Sequence, residues 1–332
     1  MNNNNMEQEN QKKDSPYSIS IAIVMAAIIL SSAWIYTSRR EALKSISAEK
    51  NTVQQTQAQI SAIEETVTPS NGVVLPVSWG NLGIQLVNSG VIDAEKFKAL
   101  YEKRGRFTDE YNKLLTEKSD GKLKITKENA GYILNLFWAL GLANKNAILD
   151  SGEMANKAYG GAGNFASTGG WTMAVGNPMN HYSRHSLIVL TAEQQALVDK
   201  VSRGIYRPCC SNSTHFPDCN HGMAMLGFLE LMASQEVSEK DMYGAALTLN
   251  SYWFPSTYMT ILEYMKINGI AWTDASPQEI LGANYSSSSG FARVTSQVAR
   301  PVQKSGGGCG VLNEQPAVQK DVGQEKQGGC GV

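Results

Sequence analysis

Apolar positions are spread unevenly along this chain, and each change in their spacing marks a change of element. Residues 18–36, SISIAIVMAAIILSSAWIY, carry no charge. At 1.5 Å per residue the run makes a helix of about 28 Å, close to the roughly 30 Å hydrocarbon core of a bilayer. Trp34 and Tyr36 stand at its end, where amphipathic rings favour the membrane interface. The run reads as a single-pass transmembrane anchor whose partner is the lipid bilayer. Ser31 and Ala33 would also suit a signal peptidase, so cleavage after Ala33 competes with this reading. The apolar continuation through Trp34 to Tyr36 favours the uncleaved anchor. Residues 1–17 ahead of it are polar and read as a disordered tail.

Residues 37–67 are rich in Glu, Gln, Lys and Ala and free of Gly and Pro, which predicts a helical stalk. Ile46, Val53, Ile60 and Val67 recur every seven residues, but Lys50, Gln57 and Glu64 occupy the other seam positions. That pattern allows a weak stalk-mediated dimer and no more.

From 68 to 285 the spacing is mainly that of amphipathic helices, giving one compact, mostly α domain. A short helix over 79–89 ends at Gly90. Asp93 caps a second through 104, with Phe97, Leu100 and Tyr101 on one face, and Thr108 opens a third. Residues 119–126 read as a turn and a short strand. The Asp-Gly in them is no calcium loop, because Gly121 at the sixth position would put Thr116 first and Lys127 last. Residues 129–149 are apolar almost all round and predict the central core helix. Further helices are expected over 191–203, from 221 or 222 onward, from Ser238 to a break at Pro255, from Ser256 to Gly269, and over 276–282. Between them, 159–171, YGGAGNFASTGGW, is a Gly-rich loop. It lacks both a preceding strand and the Lys-Ser/Thr of a phosphate-binding loop, so it reads as a tight structural loop near the His/Cys region.

Beyond 286 the periodicity fades, and 286–332 reads as a flexible tail. It carries the one clear repeat, KSGGGCGV and KQGGCGV, which sets Cys309 and Cys330 among glycines as accessible thiols.

Charge changes the picture only by exclusion. The chain has 29 basic and 30 acidic residues and no basic stripe interleaved with aromatics, so no nucleic-acid partner is expected. Lys12 and Lys13 precede the anchor while Arg39, Arg40 and Lys44 follow it, which leaves the positive-inside rule nearly balanced. A short polar tail before a large domain points to a bacterial-type cytoplasmic membrane with the domain outside. Thiols in that location oxidise unless a metal or a reductant protects them.

The candidate chemistry is concentrated. All four histidines and three of the five cysteines fall between His181 and His221. His181 and His185 are four apart, so on a helix both imidazoles would share a face and could hold one metal. Tyr182 stands where a zinc protease would have Glu. The denser group is Cys209, Cys210, His215, Cys219 and His221, followed by Met223 and Met225. Pro208 and Pro217 stiffen the loop, and Cys219 falls where it enters a helix. Thiolates and imidazoles suit copper or zinc, and the two thioethers would favour copper(I), unless MAMLGFLELM is simply core.

These residues predict a membrane-anchored extracytoplasmic protein that binds or handles copper(I) or zinc. Cys309 and Cys330 would exchange metal with the loop or with a donor or thiol partner protein. Three alternatives stand beside it. One is a thiol–disulfide oxidoreductase, and another is a disulfide-stapled interaction domain, for example through Cys210 and Cys219. The last is a hydrolytic role with Asp218 or Glu230 as general base. There is no phosphate-binding loop, dinucleotide fingerprint, CxxC pair or GxSxG elbow.

Overall fold

A computed structural model of the chain describes residues 16–298, less the side chains of 16–22, 29, 33, 42–53, 55 and 56. The expected N-terminal tail up to 15 and the repeat with Cys309 and Cys330 lie outside the described residues. The chain divides into two units, Met1–Ser61 and Ala62–Val332.

The first unit consists of helix α1 (Pro16–Val67), which runs on into the first residues of the second. It covers both the expected anchor and the expected stalk. Ile23, Val24, Met25, Ile28, Leu30, Trp34, Ile35 and Tyr36 are exposed on it. Among the described residues no helix is long and apolar enough to cross a membrane.

The second unit is mostly helical, as the spacing predicts. Its elements are β1 (Val73–Gly80), α2 (Leu82–Asn88), α3 (Ala94–Glu102), α4 (Asp109–Thr116), β2 (Ser119–Ile125), α5 (Ala130–Ala143) and α6 (Ala147–Ser151). Then follow α7 (Ala192–Gly204), α8 (Asn220–Ser234), α9 (Glu239–Trp253), α10 (Pro255–Ile267), α11 (Pro277–Leu281), α12 (Ala283–Ser286) and α13 (Ser288–Ser296). Strands β1 and β2 pair antiparallel, with Val73 opposite Ile125 and Ser78 opposite Lys122.

At the centre, α5 packs along α8. Both helices are buried on nearly every face, because apolar residues occupy almost every position. Their closest approach needs two glycines. A Cβ on Gly141 would stand 2.1 Å from the carbonyl oxygen of Met223, and one on Gly227 would stand 2.5 Å from the Gly141 nitrogen. Side chains there would push the helices apart at a cost of about 1–3 kcal/mol. Phe137 and Phe228 meet across the same seam, 4.8 Å between ring centres. Helix α7 packs on α8, and α9 contacts α5, α10 and α11.

Four expectations differ. The segment beginning at Trp79 is strand before it is helix: Leu75, Val77 and Trp79 alternate inward along β1, a period of two, and α2 starts only at Leu82. The 129–149 helix breaks after Ala143. Asn144 is extended and bridges to His185, its side chain accepts from Ile188 N at 2.9 Å, and Asn146 then caps α6 through Ile148 N. Two asparagines thus satisfy backbone groups that a continuous helix would leave facing the 183–188 segment. The boundary at 285/286 also moves: α13 buries Gly290 and Val294 and packs on α10, so the folded unit runs through Val298. At Pro255 the expected break is instead the first residue of α10, where its missing N–H costs nothing. The caps expected at Asp93 and Ser238 form, Thr108 and Thr191, expected as helix starts, prove to be caps, and Ser256 lies inside α10 rather than capping it.

Candidate metal centre

The loop between α7 and α8 is fastened at several points before any functional side chain is considered. Tyr206 N donates to Leu281 O, Thr214 N to Ile205 O, and Ser288 N to Cys210 O, at 2.8–2.9 Å. The Gly-rich loop closes over it from another side. Ser167 N donates to Asp218 O at 3.1 Å, and Tyr159 and Phe165 pack on Phe216 with ring centres 5.4–5.5 Å apart. Residues 159–171 therefore form a wall of this site. Their short 3-10 turns are pinned by Trp138 Nε1 donating to Ser167 O.

Inside the loop lies a residue the sequence reading passed over. Arg207 is 1% exposed and its guanidinium fills the centre. Nε donates to Cys219 Sγ at 3.0 Å, Nη1 to Asn212 O at 3.1 Å, and Nη2 both to Phe216 O at 2.9 Å and to Asp218 Oδ1 at 2.5 Å. Burial opposes the charge. The neighbouring Cys219, Cys210, Asp218 and Cys209 more than offset it, so the Arg207 pKa is raised and the residue stays a cation. Gly222 leaves the space for it, since a Cβ there would lie 2.5 Å from the Arg207 Cζ. The sequence does hold a signal: Arg207 is the loop's sole basic side chain between its first cysteine and α7, and Asp218 is its partner eleven positions on.

The cysteines gather around this cation. Cys209 Sγ and Cys219 Sγ are 3.5 Å apart, and Cys210 Sγ lies 3.8 Å from Asp218 Oδ1. Donor atoms of Cys209, Cys219 and His221 all lie within 4.8 Å of one another, as do those of Cys210, Asp218 and Cys219. Cys219 belongs to both groups. It is buried and caps α8 without a side-chain bond to the helix, whereas Cys209 and Cys210 are half-buried. Hydrogen bonds from Cys209 and then Cys210, together with the Arg207 charge, hold the Cys219 thiol well below its ordinary range against the effect of burial. Cys210 is pushed up to about 12: its bond to Cys209 works against the rise, while its bond to Cys219 and burial produce it. Of the three thiols, Cys219 is thus the one whose surroundings favour deprotonation. His221 is buried against Phe254 and Trp253, and its Nδ1 has no hydrogen-bond partner.

Other expected ligands are elsewhere. His215, although midway along the loop, is drawn onto α7 by its backbone N–H, which donates to Ser202 O at 3.2 Å. Its ring meets Asp199 and Arg203 instead of the sulfurs. His181 and His185 do meet each other, Nδ1 to Nε2 at 3.1 Å, with His181 Nε2 against Val175 O at 3.1 Å. They do so on a turn rather than a helix, with Ser183 at φ 51° between them, and they join neither cysteine group. The turn forms because Ser183 N, Arg184 N and His185 N donate to the last carbonyls of α5. Burial and the neighbouring His181 lower the His185 pKa. Met223 and Met225 are fully buried along α8, which is the core reading of MAMLGFLELM.

Neither carboxylate is placed as a general base. Both oxygens of Asp218 are engaged, by Arg207 and by Asn212 Nδ2 at 2.8 Å. Glu230 is fully enclosed within α8. One oxygen accepts from Asn146 Nδ2, while Oε2 has no partner. Burial pushes its pKa up to about 8, against the Asn146 bond.

Compared with known proteins, the chain matches no family model, no curated protein and no solved structure.

The Glu230 shift has a definite sign. The folded chain binds the proton more tightly than the unfolded one, so stability falls as pH rises from the ordinary carboxyl value near 4.5 to about 8 and is flat beyond. Thermal unfolding of the wild-type chain should show Tm dropping by the order of several degrees across that window. Glu230→Gln should remove most of the drop and exceed wild type at pH 8. An unchanged slope in the variant would show that Glu230 is not the group responsible.

Proposed function

We propose that the chain binds and hands on a soft metal ion, zinc or copper(I), at Cys209, Cys210, Cys219 and His221, with Arg207 as the neutralising charge. The observation that carries this reading is the contact of Cys209 and Cys219 beside His221 and the buried guanidinium. Two thiolates about 2.3 Å from one tetrahedral zinc stand roughly 3.8 Å apart, whereas a disulfide joins its sulfurs at about 2.05 Å. The 3.5 Å separation is close to the first figure.

Charge supports either metal, by different donor sets. Zinc with three thiolates, or copper(I) with two, carries a net single negative charge. In both cases the Arg207 cation would cancel it, which matters in a buried site. The Arg207–Cys219 bond would also orient the sulfur, as partners behind a metal ligand do. Because Cys209 and Cys210 are only half-buried, the ion can be exchanged from the loop's outer side. Cys309 and Cys330 would serve as exchange ligands there, or a partner protein would.

The anchor belongs to the same proposal. Its basis is the uncharged sequence 18–36 within one continuous helix, with exposed apolar side chains along it. An orientation with the domain outside a cytoplasmic membrane would expose the thiols to oxidation, and bound metal would protect them.

The same sulfur contact could close to a disulfide, so a thiol–disulfide function is the second reading. Full-length protein purified without added metal or chelator separates the two. The metal reading expects at least about one zinc or copper ion per chain with the loop thiols reduced, and a drop of at least about 10-fold in affinity at the cysteine centre for Cys219→Ser. Metal-free protein with a fixed Cys209–Cys219 disulfide would overturn it. For the anchor, the chain should stay with membranes through alkaline carbonate extraction and lose that association when 18–36 is deleted. Recovery of the intact chain in the soluble fraction would contradict it.

A further inference from the structure

His215 leaves the cysteines for a groove between α7 and the 151–156 segment, and its surroundings have the form of a second site. Two adjoining cavities, of about 680 Å³ and about 490 Å³, share Ser151, Gly152, Arg203 and His215 in their walls. Glu153 and Asn156 line the first, and Asp199 and Gln195 the second.

The His215 ring is 7% exposed and set by a carboxylate behind it. Its Nε2 lies 2.8 Å from Asp199 Oδ1. Arg203 grips that carboxylate through Nε and Nη2 at 3.0 and 3.1 Å, and Nη2 also lies 2.7 Å from His215 Nε2. Nε2 faces both the Asp199 oxygen, which would take its proton, and the donor Arg203 Nη2; in the tautomer protonated at Nε2, Nδ1 keeps its lone pair. That Nδ1 is buried and has no hydrogen-bond partner. Its nearest charged neighbour is Glu153 Oε1 at 3.5 Å, too long for a hydrogen bond. In that tautomer Nδ1 and the Glu153 carboxylate are two acceptors facing each other.

We infer that Glu153 and His215 Nδ1 bind a divalent cation of the zinc type, with water from the groove completing its coordination. An imidazole nitrogen and a carboxylate oxygen, each about 2.0–2.2 Å from zinc, stand about 3.4 Å apart at a tetrahedral angle. The observed 3.5 Å meets that spacing. Asp199 is the carboxylate that metal-binding histidines characteristically carry on the second ring nitrogen. It acts as a positioning residue, and Arg203 holds it in place. The site differs in kind from the sulfur-rich loop, since nitrogen and oxygen donors suit harder ions. It is independent of the Cys209/Cys219 reading, although residue 215 lies in the same loop.

Zinc binding to the full-length chain tests this by counting ions. Glu153 is half-exposed, so Glu153→Gln should keep the fold, which far-UV circular dichroism would verify. The variant is expected to bind one zinc fewer than wild type, or to bind that ion at least about 10-fold more weakly. His215→Asn should reproduce the loss, while Cys219→Ser should leave this ion in place. A Glu153→Gln chain that retains the wild-type ion count and affinities overturns the inference, whatever Cys219→Ser does. A Cys219→Ser chain that retains every ion would instead overturn the cysteine centre and leave this one standing.

Discussion

The Arg207 guanidinium is the interaction on which the candidate centre depends. A buried cation is tolerable only if its hydrogen bonds and its charge are both met, and this one is met by two carbonyls, a carboxylate and a sulfur. Removing one partner of such a buried pair typically costs about 3–5 kcal/mol. The reverse dependence is just as strong. Asn212, Phe216 and Asp218 have no regular secondary structure to fix them, and Arg207 gathers all three along one loop. The cation therefore builds the loop and also stabilises the thiolate within it.

The scaffold explains how that arrangement reaches the N-terminus of α8. Gly141 and Gly227 let α5 and α8 touch at the backbone, and this buries α8 on every face. Gly222 on the first turn makes room for the guanidinium, and Cys219 caps the helix start where unpaired amides favour negative charge. The Gly-rich segment and the N-terminus of α13 close two sides through Ser167 N and Ser288 N. The half-buried Cys209 and Cys210 are left as the way in.

Much of this was legible in the sequence wherever a local rule decided the outcome. The caps at Asp93, Thr108, Thr191 and Ser238 follow from side-chain oxygens that can reach a backbone N–H within three residues. The central helix follows from its unbroken apolar run. Where a distant partner decides, the reading failed. Asn144 ends α5 because it bridges to His185, forty-one positions away. Trp79 is a strand residue because β2 pairs with β1. The cluster of histidines and cysteines was found as a group, but its partition was not. One backbone bond, His215 N to Ser202 O, separates His215 from the sulfurs, and nothing in the spacing announces it. Arg207 was missed because attention to soft ligands leaves out the charge that makes several of them compatible with burial.

Two kinds of donor set therefore draw on one loop: sulfur around Arg207, and the His215 nitrogen with a carboxylate oxygen beside α7. The sulfur set around Arg207 is the proposed holder of the soft metal. X-ray absorption at the metal edge of the full-length Glu153→Gln chain, loaded with one equivalent of metal, reads the donor atoms of the sulfur set without the Glu153/His215 site. The expected first shell is dominated by sulfur at about 2.3 Å with one imidazole nitrogen. A shell of nitrogen and oxygen alone would contradict it.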